Sequence, residues 1–188
     1  MVPTAAFDFD GTLTRRDCLV PFLRRVAGTR ALLAAMVATA PAAARVDRNA
    51  VKAGVVRKLL AGRDIKMLND EGARFAVDIV DNRLRRDTIE RLRRHQSDGH
   101  RTVIVSASLR PYIEPVATAL AIDHVICTEL EVVGGIVTGE LVDGNCRGAE
   151  KASRLQAWLG AGPVELWAYG DSSGDDELLA LAEHGVRV

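Results

Sequence analysis

The sequence predicts an α/β fold, a doubly wound parallel sheet carrying a small inserted helical cap. Short apolar runs of strand length alternate with amphipathic helical stretches, which is the signature of βαβ units. One segment, from Asp17 to about Leu84, breaks that alternation because it is helical in propensity and lacks strand signals. Asp8, Ser106 and Asp171 each sit at the carboxyl end of an expected strand, where ligands bind in open α/β sheets.

Taken in order, Pro3–Phe9 reads as a buried strand. The insertion then divides into helices over Cys18–Val26, Arg30–Ala40, Arg48–Ala61 and Ile65–Asn82, punctuated by Gly28, Pro41 and Gly62. Asp87–Asp98 is a helix stopped by Gly99, and Thr102–Val105 a buried strand ending at Ser106. A helix over Pro111–Leu120 and a short strand over His124–Cys127 follow. Leu130–Val133 and Ile136–Leu141 flank Gly134-Gly135, a hairpin signal. Ala149–Leu159 is a helix, Val164–Tyr169 a strand, Asp175–Glu183 a helix, and Val186–Val188 opens a last strand. These spans divide the 188 residues into a core of 1–14 and 85–188 and a cap of 15–84.

Composition narrows the function. Formal net charge is zero, so no overall basic field draws in nucleic acid or an anionic membrane. The apolar run Ala31–Ala44 is alanine-rich, contains Pro41 and is too short to span a bilayer. Cys18, Cys127 and Cys146 lie far apart with no CxxC pair, which argues for reduced thiols and a cytoplasmic setting, as does the lack of a leader before Asp8. The four histidines, His95, His100, His124 and His184, read as ordinary solvated side chains.

The chemistry concentrates in Asp8-Phe9-Asp10-Gly11-Thr12-Leu13-Thr14 and Gly170-Asp171-Ser172-Ser173-Gly174-Asp175. In the first, two carboxylates lie two residues apart where a strand meets a glycine turn, a pattern suited to a nucleophile and its acid/base partner. Together the two turns suggest a magnesium site at which an aspartate accepts a phosphoryl group. Between them lie Val103-Ile104-Val105-Ser106-Ala107-Ser108 and Lys151. Spacing and order of these four motifs resemble the haloacid dehalogenase superfamily (HAD-like, Rossmannoid) phosphatases, specifically the phosphoserine-phosphatase-like branch, over nearly the whole chain.

The resemblance implies a magnesium-dependent phosphomonoester hydrolase acting on a small phosphorylated metabolite. It implies Asp8 as nucleophile, forming an aspartyl-phosphate, and Asp10 as acid and then base. The implied metal ligands are the Asp8 carboxylate, the Asp10 carbonyl and the Asp171 carboxylate, with Asp175 acting through water or neighbours. Ser106, Lys151 and the backbone N–H groups at Gly11 and Ala107 would hold the phosphate; Ser108 is set aside in favour of Ser106. A phosphotransferase or mutase, and a catalytically silent binding protein, stay open on the same scaffold.

For substrate choice, Asp17 matches the acidic position that meets the substrate ammonium in phosphoserine phosphatases, where Glu is commoner. A phosphoserine-like amino-alcohol phosphate is therefore one candidate, although Asp17 could equally cap the helix that follows it. Lys52, Arg57 and Lys58 compete for the role of basic cap residue. The resemblance also implies a complete strand and a further helix after the fourth motif, whereas this sequence reaches only Val188.

Overall fold

The computed structural model describes residues 2–43 and 48–188. Ala44, the end of the alanine-rich run, lies outside them. A six-stranded sheet has the order β4-β3-β2-β1-β5-β6. Its strands are β1 (Thr4–Phe7), β2 (Arg101–Leu109), β3 (His124–Val133), β4 (Ile136–Val142), β5 (Leu166–Gly170) and β6 (His184–Arg187). All neighbours pair in parallel except β3 with β4, whose antiparallel hairpin turns at Gly134-Gly135 as the dipeptide predicts. Chain order reverses at β1, which lies between β2 and β5, and this is the crevice where doubly wound sheets bind ligands.

The short β1 is buried on both faces, which accounts for its unbroken apolar reading. Ala5 and Phe7 face the larger core with Leu92, Ile104, Ile113 and Val116; Ala6 faces the opposite layer with Val103, Val105, Ala168, Leu155 and Leu178. The covering helices are α5 (Arg86–Ser97) and α6 (Arg110–Ala119) on the first face, with α7 (Ala149–Leu159) and α8 (Asp176–Leu181) on the second.

Helices α1 (Leu19–Ala27), α2 (Thr29–Ala43), α3 (Arg48–Leu60) and α4 (Ile65–Asn82) occupy the insertion. The two chain crossings between insertion and sheet run side by side: Arg15 N donates to Arg83 O and Arg85 N to Leu13 O, each at 2.9 Å. The helices share the larger hydrophobic core with the sheet layer. Phe22 of α1 and Phe75 of α4 meet Tyr112 of α6, with ring centroids 4.9 and 5.7 Å apart. Gly72 makes the α4–α6 approach possible, since a Cβ there would overlap the Pro111 carbonyl. Gly72→Ala is expected to destabilise the protein by about 1–3 kcal/mol through overpacking, read as a lower denaturation midpoint; an unchanged midpoint would mean that α4 slides freely over α6.

Several sequence expectations shift. Ser106 lies inside β2 rather than at its end, because β2 continues to Leu109; its pairing with β3 becomes irregular after Val105, and that irregularity is the break the sequence shows. The stretches His124–Cys127 and Leu130–Val133 form one strand, its first half paired with β2 and its second with β4. Helix α2 runs through Pro41 to Ala43. His95 is not solvated: it is buried, shares hydrogen bonds of 2.9 Å with Tyr169 Oη and His100 Nδ1, and burial lowers its pKa. Among the described residues no helix is long and apolar enough to cross a membrane.

Candidate active site

After β1 the chain leaves the sheet at Asp8 and makes one wide turn, Phe9–Leu13, in which Asp10 and Gly11 depart from helical φ/ψ and Thr14 N donates to Phe9 O at 3.0 Å. Asp8 N donates to Tyr169 O on β5 at 2.9 Å, which ties the first carboxylate to the neighbouring strand. Gly11 takes φ +83°, and a Cβ there would overlap the Asp171 carboxylate. The glycine therefore lets the turn after β1 and the turn after β5 close on one another. Arg85 Nη1 donates to Gly11 O at 3.0 Å and fixes this turn from the edge of α5.

A cavity of about 390 Å³ opens over these turns, and it collects every side chain expected from the sequence: Asp8, Asp10, Gly11, Asp17, Ser106, Ala107, Lys151, Asp171 and Asp175. Lys151 stands at its floor. The side chain is almost wholly buried, and its Nζ donates to Asp8 Oδ1 and to Asp175 Oδ1, the latter at 2.5 Å. Burial by itself would lower the Lys151 pKa; the two carboxylates outweigh burial and raise it. One ammonium shared between two acids does not offset the desolvation of both. Burial thus pushes Asp8 up to about 6 against the pull of Lys151, with Asp175 adding to the rise. Asp175 is held below the usual range: burial opposes this, but Lys151 and the Ser172 N–H and hydroxyl all favour its charged form.

Asp10 sits in a different setting. Its Oδ1 accepts from Cys18 N at 2.8 Å, and its Oδ2 accepts from Ser108 Oγ. Ser108 in turn accepts from the buried Tyr112 Oη at 2.6 Å. Burial, reinforced by the charge of Asp17, raises the Asp10 pKa to about 7. Two acids two residues apart in sequence thus have different partners and different protonation behaviour. Ser108, Tyr112 and the Cys18 amide are missed from the sequence. The signal for Ser108 was present, since residues i and i+2 of a strand share a face and Ser106 was already placed there. Ser106 is buried, and its Oγ accepts from Ser108 N at 3.1 Å.

Asp17 lines the cavity, but its Oδ2 accepts from Val20 N at 2.9 Å, which is the helix-capping role that its position also allowed. Of the three basic candidates in the cap, Lys52 reaches the core: its Nζ donates to Ala107 O, Asn145 Oδ1 and, at 3.1 Å, Thr128 Oγ1. Burial lowers its pKa to about 8. Arg57 pairs with Glu140 and Lys58 is exposed.

The donor set fits a hard divalent cation. Carboxylate oxygens of Asp8, Asp171 and Asp175 lie within 4.8 Å of one another, all are oxygen ligands of the kind magnesium prefers, and mutual repulsion adds to the raised pKa of Asp8 and of Asp171. Asp175 already spends both oxygens on Lys151 and Ser172, so Asp8 and Asp171 are the carboxylates best placed to ligate.

Comparison with known proteins agrees with this geometry. The family described as haloacid dehalogenase-like hydrolase matches residues 5–180. "Protein CicA" of Caulobacter vibrioides is 38% identical over 97% of this chain and 85% of its own length. Phosphoserine phosphatase SerB2 of Mycobacterium tuberculosis is 30% identical over 96% of this chain, which corresponds to 42% of that longer protein. Among solved structures, a Bordetella pertussis protein of unknown function superimposes with a TM-score of 0.72 at 23% identity, covering 96% of this chain and 87% of that one. An apo phosphoserine phosphatase does so with a TM-score of 0.67 at 17% identity, covering 97% and 84%. The doubly wound fold, the ordered motifs and these matches make the chain a member of the haloacid dehalogenase-like hydrolases.

Proposed function

We propose that this chain is a magnesium-dependent phosphomonoester hydrolase that acts on a small phosphorylated metabolite through an aspartyl-phosphate on Asp8. The observation that carries the reading is the pairing of Asp8, buried and in contact with Lys151, with Asp10, whose pKa of about 7 suits proton transfer in both directions.

An Asp8 oxygen attacks phosphorus while the ester bond to the leaving alkoxide breaks, and that alkoxide takes the proton of Asp10. Asp10, now a carboxylate, accepts a proton from water as the water oxygen attacks the acyl phosphate. Inorganic phosphate leaves and Asp8 is restored. The Ser106 hydroxyl and the amides of the turn after β1 donate to phosphoryl oxygens, and Lys151 offsets the negative charge gathered around Asp8. Asp8 and Asp171, with the Asp10 carbonyl, would hold magnesium, whose charge offsets that of the phosphoryl oxygens when it is bound.

The test is hydrolysis of p-nitrophenyl phosphate after exhaustive chelation and again after magnesium is restored. Activity should vanish and return; undiminished turnover in chelator would remove the metal from the reading. Ser108→Ala should leave Asp10 without the hydrogen bond from the Ser108 hydroxyl. A hydrogen bond to a charged group contributes about 1.5–3 kcal/mol, so kcat should fall by roughly 10- to 150-fold. The pH at which activity declines should also shift. A fall in KM alone would show that Ser108 acts elsewhere.

A further inference from the structure

The wall of the cavity carries more positive charge than phosphoryl transfer uses. Arg15 and Arg16, on the segment leaving the turn after β1, line it from one side, and Arg147, just before α7, lines it as well. Among the described residues, none of these three guanidinium groups has an ion pair or a side-chain hydrogen bond. Arg85, which donates to Gly11 O at the same turn, pairs instead with Asp87.

Arg147 is also seated. Its guanidinium lies against Gly174, where an added Cβ would stand 3.0 Å from Nε and 3.2 Å from Cζ and Nη2. The local backbone is clamped on both sides, with Arg147 N donating to Asn145 O at 2.8 Å and Gly148 N to Gly174 O at 3.0 Å. The half-buried guanidinium is thus held in the cavity wall by a glycine that leaves room for it, and it makes no ion pair among the described residues. On the other side, Thr14 Oγ1 donates to Arg16 O at 2.9 Å and Arg15 N donates to Arg83 O, so the backbone presenting these two side chains is pinned. Asp17, the one acid on this segment, caps α1.

Guanidinium groups recognise phosphate oxygens through paired N–H donors and remain charged throughout the accessible pH range. We propose that Arg15, Arg16 and Arg147 form a second anion subsite, and that the substrate carries a second phosphate group beside the one transferred to Asp8. The inference rests on the phosphomonoesterase reading and narrows its substrate class to bisphosphates. It disfavours the amine-bearing substrate that Asp17 suggests from sequence, because one Asp17 oxygen already accepts the capping hydrogen bond and the neighbouring guanidinium groups repel an ammonium.

A three-carbon series tests it, since only the far substituent changes: 3-hydroxypropyl phosphate, 3-aminopropyl phosphate, 2-carboxyethyl phosphate and propane-1,3-diol bisphosphate, with phosphate release followed and rates expressed per phosphate group. The bisphosphate should exceed the hydroxyl compound in kcat/KM by about tenfold or more, as expected for a charge-assisted contact. That ratio should fall as ionic strength rises from about 50 to about 300 mM. Arg147→Gln and the double variant Arg15→Gln/Arg16→Gln should each reduce the ratio severalfold, and Arg147→Lys should restore part of it. A ratio near one in the unaltered protein, or equal losses on both substrates in the variants, would overturn the subsite. Preference for the carboxylate compound would replace phosphate by carboxylate, and preference for the amine would return the role to Asp17; either refutes the proposal. Failure to hydrolyse even p-nitrophenyl phosphate would defeat the phosphatase reading itself, an outcome distinct from loss of discrimination.

Discussion

Asp8→Asn is expected to lower kcat by roughly 10⁴-fold or more, the scale seen when a residue central to covalent catalysis is removed. The amide oxygen is a poor nucleophile, and the uncharged group is a weaker ligand for a hard cation. Stability should not suffer. Asp8 is a buried acid whose pKa is raised to about 6 by desolvation, so neutralising it removes a charge that burial disfavours. Lys151 keeps Asp175 as its counter-ion. The prediction is therefore paired: turnover lost, denaturation midpoint held or raised. Normal turnover by the folded variant would exclude Asp8 as nucleophile. A variant that fails to fold would show instead that the Asp8–Lys151 contact holds the turn after β1 in place.

Lys151→Met should be costly in both respects. It leaves two carboxylates, Asp8 and Asp175, almost fully buried without their shared cation. Breaking a buried ion pair from one side costs about 3–5 kcal/mol, because the remaining charge is uncompensated. The loss should be largest in metal-free protein and smaller when magnesium is added, since the proposed magnesium site includes Asp8 and would stabilise its charged form in the folded state. Chemical denaturation with and without magnesium measures both quantities. Adding Asp175→Asn to Lys151→Met should recover stability but not activity, whose loss is expected to exceed about a hundredfold for want of the ammonium beside Asp8. A Lys151→Met protein as stable as the parent in chelator would mean that the buried acids are protonated at no cost.

Much of this molecule is legible along the chain. The alternation of apolar strands with helices determines the doubly wound sheet, because a strand buried on both faces needs unbroken apolar residues such as those of Ala5–Phe7. Asp8, Asp10, Gly11, Ser106, Ala107, Lys151, Asp171 and Asp175 are found through the four ordered motifs and their family resemblance, and they line one cavity because Asp8 and Asp171 follow neighbouring strands β1 and β5 while β2 and α7 bring in the rest. Gly134-Gly135 determines the hairpin for the local reason that its backbone needs positive φ at both residues.

Contacts between distant segments were decided elsewhere. Strand alternation puts Ser108 on the face of Ser106, but that its hydroxyl meets Asp10, 98 residues away, while accepting from Tyr112 is decided only by the fold. His95 looks like a surface residue on a polar helix until Tyr169 and Phe7 close over it. Lys52, Arg57 and Lys58 are indistinguishable as cap bases until packing of α3 against β4 turns Lys52 toward Ala107 and gives Arg57 to Glu140. Arg15, Arg16 and Arg147 are three among many arginines, and only the folded cavity sets them around one space with no ion pair of their own among the described residues. Local sequence carries φ/ψ preference and burial periodicity, which are properties of a residue and its near neighbours. The partner of a side chain, and whether it has one, depends on which surfaces the sheet and its inserted helices bring together.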